Sequence, residues 1–239
     1  MRTRLALLAP AALTIALLAL AGCSAAPTTR ALAADPRSTP IAAPAAGSGH
    51  ADASEPVDAV AIGDSIAFGK GVDPSQAWPA LIAAEHNWRL TDLAVSGSGF
   101  VKPGWNGTTY RQQVDQALRL HPEVIMLAAT RNDREQDPAK VTANADGMLR
   151  ELRENFPHAT IIGVTGIWGS DQPPATMTRV DGIVGDAVRD VNGTWLDIGF
   201  PLVGHQSLLQ PDGIHPNAAG QKVVAQTIES KLRPLNLAL

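Results

Sequence analysis

Apolar residues fall along the chain in short blocks, and their spacing alternates between strand-like and helix-like. Ala59-Val60-Ala61-Ile62 is an apolar run closed by Gly63, the signature of a buried strand. Ser75 is placed to cap a helix carrying Trp78, Leu81 and Ile82. Leu90 to Val95 reads as a second strand. Val114, Ala117 and Leu118 share one helical face in a segment ended by Pro122. Val124-Ile125-Met126-Leu127 is the clearest buried strand. Asp137 as N-cap and Pro138 as N1 then open the strongest helix, whose stripe of Val141, Ala145, Met148, Leu149, Leu152 and Phe156 runs to Pro157. Thr160 to Val164 is a fourth strand, Ala175 to Val191 a helix weakened by Gly182 and Gly185, and Trp195 to Ile198 a short last strand. A final helix over Ala218 to Leu232 aligns Val224, Ile228 and Leu232. Strands alternating with helices predict a parallel sheet covered on both faces, a three-layer α/β/α sandwich. Its reactive loops are expected at the carboxyl ends of the strands.

The first 55 residues follow a different pattern. Arg2 and Arg4 precede an apolar run from Leu5 to Ala21, which reads as a secretory signal. Leu20-Ala21-Gly22-Cys23 resembles the bacterial lipobox, whose cysteine receives a diacylglycerol thioether and becomes the first residue of the mature protein. Cys23 is the sole cysteine of the chain, which also excludes an intramolecular disulfide. Two acyl chains anchor stably where one is marginal. Cleavage near Ala25 or Ala26 would instead release a soluble protein, and an uncleaved segment would itself serve as an anchor; the lipoprotein is the favoured reading. Residues 23–55 are rich in Ala, Pro, Ser, Thr and Gly and too poor in large apolar side chains to offset ordering entropy, so they read as a disordered tether. The expected organisation is a signal peptide over 1–22, a lipidated tether over 23–55 and one domain over 56–239. The expected location is the extracytoplasmic face of the cell envelope, on the membrane.

Composition narrows the function. The 239 residues carry a net charge of −4, with no basic surplus or long basic run, which argues against nucleic acid as a partner. No histidine or cysteine cluster has metal-ligand spacing. No metal or cofactor is therefore expected. The domain is expected to act as a monomer.

Chemistry-bearing residues gather at the expected strand ends. Gly63-Asp64-Ser65-Ile66 follows the first strand, Ser96-Gly97-Ser98-Gly99 the second, and Thr130-Arg131-Asn132-Asp133 the third. Asp212-Gly213-Ile214-His215-Pro216 precedes the last helix. Acyl transfer needs a nucleophile, a base, a group orienting that base, and donors for the oxyanion. Ser65 and His215 supply the first pair. Asp212, three residues before His215, can hold one imidazole tautomer. The backbone N–H groups of Ser65 and Gly97, with the Asn132 amide, can face the oxyanion. A base must be neutral to act, so hydrolysis is expected to fall in acid. Taken singly, each block is also what a turn or a helix cap would look like. Four in order, each at a strand end or helix start, are not explained that way. His86, His121, His158 and His205 read as structural or surface residues, and His50 lies in the tether.

The four blocks resemble the SGNH/GDSL hydrolase family, whose signature residues match Ser65, Gly97, Asn132 and His215 in order over residues 57–232. The resemblance implies a flavodoxin-like sandwich with a five-stranded parallel sheet, and metal-independent hydrolysis of esters or thioesters. Thr130 stands where the family usually has Gly, which puts the aim of Asn132 in question. An α/β-hydrolase is rejected, because that fold needs several strands before its nucleophile elbow and Ser65 follows the first. Two other functions share these features: an envelope acyltransferase using the same acyl-enzyme, and a lipoprotein that only binds a ligand. The substrate is expected to be a small-molecule or glycan ester. Trp105 and Trp168 flank the expected cleft, either lining an acyl or sugar pocket or packing onto the domain. The short loops hold no large lid, which favours a short acyl chain.

Overall fold

Alternating apolar runs become five parallel strands in the computed structural model, which describes residues 55–237. The signal segment, Cys23, His50 and the tether up to residue 54 lie outside the described residues. The strands are β1 Val57–Ile62, β2 Trp88–Asp92, β3 Val124–Ala128, β4 Thr160–Val164 and β5 Thr194–Leu196. They form one sheet in the order β2-β1-β3-β4-β5, every pair parallel. Helices connect them: α1 Trp78–Glu85, α2 Tyr110–Ala117, α3 Pro138–Asn155, α4 Ala175–Asp190 and, after β5, α5 Ala218–Leu232.

Side chains alternate across the sheet with period two, so each strand feeds two cores. Ala59, Ala61, Val124, Met126, Ile162 and Val164 face Trp78 and Ile82 of α1 and Val224 and Ile228 of α5. Val60, Ile62, Ile125, Leu127 and Ile161 face α2, α3 and α4 through Val114, Leu149 and Val184. Each such Val, Leu, Ile or Met side chain, fully buried, stabilises the fold by about 1.5–3 kcal/mol relative to exposure. The α/β/α sandwich with a five-stranded parallel sheet is thus observed.

Several element ends differ from expectation. Asp73, not Ser75, is the capping residue: its side chain accepts from the Ser75 N–H at 2.9 Å and opens a 3-10 turn, Pro74–Gln76, ahead of α1. α1 itself starts at Trp78 without a side-chain cap. β2 begins at Trp88 and ends at Asp92, earlier at both ends than its apolar run suggested, because Trp88 is its buried residue and Leu93 to Val95 already belong to the loop. β5 ends at Leu196. In α4, Gly185 has a packing reason: a Cβ there would sit 2.9 Å from the Trp195 ring.

The order of the strands positions the site. Chain connections leave β1 and β3 toward opposite sides of the sheet, so a crevice opens at their carboxyl ends. Ile62 and Leu127 are register partners at that edge. The loops after these two strands contain Ser65 and Asn132.

Candidate active site

Ser65 sits in the turn directly after β1. The Asp64 side chain accepts from the Ile66 N–H at 2.9 Å, and the Gln221 amide donates to the Ile66 carbonyl at 2.9 Å. These bonds fix the turn from both sides. Ser65 is buried except for its access to the cleft. His215 lies 150 residues away, just before α5, yet its Nε2 is 2.9 Å from the Ser65 Oγ. Its Nδ1 is 2.6 Å from Asp212 Oδ2. With the proton on Nδ1, that nitrogen donates to the carboxylate, and Nε2 accepts from the serine hydroxyl.

Asp212 is held in turn. Its Oδ1 accepts from the backbone N–H groups of Ile214 (2.9 Å) and His215 (3.0 Å). The His215 backbone bond, the His215 ring and the Ile214 N–H together hold the Asp212 carboxyl well below the ordinary carboxylate range. It therefore remains ionised wherever the imidazole acts.

Gly97 and Asn132 stand at the mouth of the same cleft. Gly97 adopts φ +81°, a conformation that glycine takes without strain, where the chain turns back toward Gly104. The Asn132 amide donates one hydrogen to the Ser98 carbonyl at 2.9 Å; an amide nitrogen has a second. Ser65, Gly97, Asn132 and His215 together line a cavity of about 530 Å³. The structure thus brings together all the residues singled out in the four blocks.

Thr130 resolves the question raised by its position. Its backbone is extended, φ −133°, so nothing there requires glycine. Its hydroxyl donates to Asp64 Oδ2 at 2.7 Å and accepts from the Asn132 N–H at 3.1 Å. Burial pushes the Asp64 carboxyl up, and the Thr130 bond is the largest force bringing it down. The threonine side chain therefore ties the third block to the first.

The two tryptophans divide. Trp105 is 79% exposed and lines the cavity, whereas Trp168 is 6% exposed and packed. The Trp168 indole N–H donates to Asp171 at 3.0 Å, and its ring carries the Arg131 guanidinium 4.2 Å above the centroid.

Two supporting residues escaped the sequence reading. Gln113 of α2 is fully buried; its amide accepts from the Gly63 N–H (2.9 Å) and donates to the Gly63 carbonyl and to Ser98 Oγ (both 3.0 Å). Asp133 accepts from three consecutive N–H groups, those of Phe100 (2.6 Å), Val101 (3.2 Å) and Lys102 (2.8 Å). The Asn132-Asp133 pair was legible as a block, but nothing in the sequence said which loop Asp133 would hold. Of the histidines set aside earlier, His86 bonds Glu229 at 2.9 Å and stacks on Trp88, a structural use.

Comparison with known proteins agrees with this geometry. Residues 61–223 match the model of the GDSL-like lipase/acylhydrolase family. GDSL lipase Rv0518 of Mycobacterium tuberculosis is 25% identical over 186 residues, covering 70% of this chain and 78% of that protein. Esterase TesA of Pseudomonas aeruginosa is 25% identical over 188 residues, covering 73% of this chain and 87% of the relative. A crystal structure of TesA superposes with a TM-score of 0.59 at 23% identity, over 74% of this chain and 99% of that one.

Proposed function

Since the chain belongs to the GDSL-like lipase/acylhydrolase family and is an ester hydrolase, we propose that it works through an acyl-enzyme on Ser65, with His215 as base and Asp212 as its orienting carboxylate. The observation that carries this reading is the continuous pair of short contacts, Asp212 to His215 at 2.6 Å and His215 to Ser65 at 2.9 Å.

In the first half-reaction the Ser65 oxygen attacks the ester carbonyl while its proton passes to His215 Nε2. Charge gathers on the former carbonyl oxygen. The N–H groups of Ser65 and Gly97 and the second amide hydrogen of Asn132 receive it. Each such donor is worth roughly 3 kcal/mol of barrier. The C–O bond to the alcohol then breaks, and the alcohol leaves with the proton held by His215. In the second half-reaction water gives a proton to His215 and attacks the acyl-serine. The acid departs, and the Ser65 oxygen recovers its proton. Asp212 stays ionised throughout and stabilises the imidazolium in both halves.

The substrates we assign are carboxylic esters, with a small acyl group on a small molecule or a glycan. An open cleft with short loops supports this. For the N-terminal segment the reading remains that of the sequence: signal peptide over 1–22, diacylglycerol on Cys23, a tether to residue 55, and the hydrolase domain from residue 56 on the outer side of the membrane. Its support is the lone thiol at the end of an apolar run. Cys23→Ser should abolish the lipid-modified mass and leave the unprocessed precursor, held only by its uncleaved apolar segment; an unchanged processed mass and membrane fraction would refute the anchor.

The decisive experiment is hydrolysis of 4-nitrophenyl acetate and butyrate by the wild type beside Ser65→Ala. Activity lost in a folded mutant supports the assignment. Equal activity in both would show a different nucleophile. Acyl transfer to an added sugar in preference to water would make the protein a transferase. Binding without turnover would leave a ligand-binding lipoprotein.

A further inference from the structure

The cleft is lined by four cations, Lys70, Lys102, Arg131 and Arg134, and by no acidic side chain. This runs against the composition, in which 23 acidic residues outnumber 19 basic ones. Arg134 is compensated: it pairs with Glu135 at 3.1 Å and donates to the Arg131 carbonyl at 3.1 Å. The other three make no such direct contact. Among the described residues no ion pair or side-chain hydrogen bond holds Lys70, Lys102 or the Arg131 guanidinium.

Arg131 is the informative one. Half-buried, it lies flat on Trp168, which is itself fixed by Asp171. One face of the guanidinium is therefore dry, while its planar edge of N–H donors has no acceptor. Burial, and then Arg134, lower its hold on the proton, and Asp64, Asp171 and Asp212 oppose them only through space, none of them touching the guanidinium. A guanidinium positioned by stacking with free edges is suited to planar, bidentate recognition of carboxylate or phosphate.

We propose that the ester taken by this site carries an anionic group, a carboxylate or a phosphate, bound by Arg131 with help from Lys102 and Lys70. This rests on the hydrolase reading and names its substrate class. The anion is held beside Asn132, so its binding orients the ester carbonyl toward Ser65. Ile214 and the exposed Trp105, both on the cavity wall, offer apolar contact to the remainder of the substrate.

Two matched pairs of substrates, given to the full chain, test this and locate the anion. 4-Nitrophenyl adipate against 4-nitrophenyl hexanoate places a carboxylate at the far end of the acyl group. 4-Acetoxybenzoate against its methyl ester places it on the alcohol, with rates divided by those of alkaline hydrolysis. In at least one pair, kcat/KM should favour the anion by about tenfold or more at low ionic strength, and the preference should shrink in high salt. Arg131→Gln and Lys102→Gln should each reduce that ratio several-fold, and Arg131→Lys should reduce it less than Arg131→Gln. No preference in either pair, or a preference that survives both glutamine substitutions, overturns the proposal. Lys102 is exposed, so its variant keeps the test open should Arg131→Gln fail to fold. If the wild type hydrolyses none of the four, the hydrolase reading fails separately. The anion site is then read on Ser65→Ala: a salt-sensitive rise in Tm with 4-nitrophenyl adipate, absent when Arg131→Gln is added, sustains it. No rise overturns it.

Discussion

Replacing Asp212 by Asn isolates what the carboxylate contributes beyond its shape. The side chain keeps its size, and its remaining oxygen can still accept from the Ile214 and His215 N–H groups, which Oδ1 does now. The amide nitrogen is then forced toward His215 Nδ1, where the carboxylate oxygen stood at 2.6 Å. An amide there donates, so Nδ1 must accept and the imidazole proton moves to Nε2. That nitrogen faces Ser65 at 2.9 Å and can no longer take the serine proton. In a triad whose carboxylate is buried, the analogous change costs roughly 10⁴ in kcat. Asp212 is 42% exposed, so water screens it and can relieve the wrong tautomer. The expected loss is therefore smaller, about 10²–10³ in kcat, or roughly 2.7–4.1 kcal/mol of barrier. KM for 4-nitrophenyl butyrate should change little, because the substrate does not touch Asp212. Initial rates on the variant, with circular dichroism to confirm folding, provide the measurement. A folded variant that keeps more than about a third of wild-type kcat would refute the role given to the Asp212–His215 contact.

Two further predictions concern the supporting groups. Asp133→Ala leaves the Phe100, Val101 and Lys102 N–H groups without their acceptor and should destabilise the domain by about 3 kcal/mol or more while lowering kcat; a denaturant midpoint and kcat both equal to wild type would contradict this. Asp181 is the clearest pH-dependent element: burial, opposed by its bond from the Gly166 N–H at 2.8 Å and reinforced by Asp197, raises its carboxyl to about 7. A carboxyl raised on folding contributes stability in full below its unfolded value of 3.8 and loses it as pH rises through the folded value. Stability should thus decline between about pH 4 and 7. Asp181→Asn, whose side-chain oxygen can keep the Gly166 bond, should match wild type near pH 4 and exceed it at pH 8 by up to about 4 kcal/mol. Urea unfolding at both pH values measures the difference, and equal pH slopes in the two proteins would reject the assignment.

The parts of the molecule that the sequence disclosed are those governed by local rules. β3 and α3 were legible because Val124–Leu127 has only one plausible environment and the Asp137-Pro138 cap has only one conformation. The start of α1 was not, since aspartate and serine can both cap, and only the 3-10 turn ahead of α1 makes Asp73 the acceptor and Ser75 a donor to it. The end of β2 was obscured by Leu93, which lies past the strand yet stays buried and still donates to the Ala61 carbonyl of β1. At the site, Ser65, Asn132 and His215 were visible because each lies in a short block with its own spacing. Gln113 and Asp133 were not. A glutamine inside an amphipathic helix usually faces water, and Gln113 becomes fully buried because Gly63 and Ser98 present buried polar groups that need partners at that height of the sheet. Such complementarity depends on contacts 50 residues apart, which no local pattern records.

Those contacts also explain how a threonine can occupy the place of a glycine. The hydrogen bonds form a closed circuit: Gly63 to Gln113, Gln113 to Ser98, Ser98 to Asn132, Asn132 to Thr130, and Thr130 to Asp64, next to Gly63 again. The links to Gln113 tie α2 to the first two blocks, and the others join two blocks or brace one internally. A glycine at position 130 would leave the circuit open on the side of Asp64, a buried acid whose side chain has, among the described residues, only one other hydrogen bond, from Ile66. The threonine hydroxyl closes it, a single oxygen that donates to the acid and accepts from the Asn132 N–H at once. The two elements that meet here, the nucleophile turn and the loop bearing Asn132, are the ones that must keep their spacing as charge builds on the substrate. A network satisfied at each member is rigid, and a rigid frame needs no reorganisation at the moment of reaction. The departure from the family pattern therefore strengthens the frame on which the oxyanion donors rest.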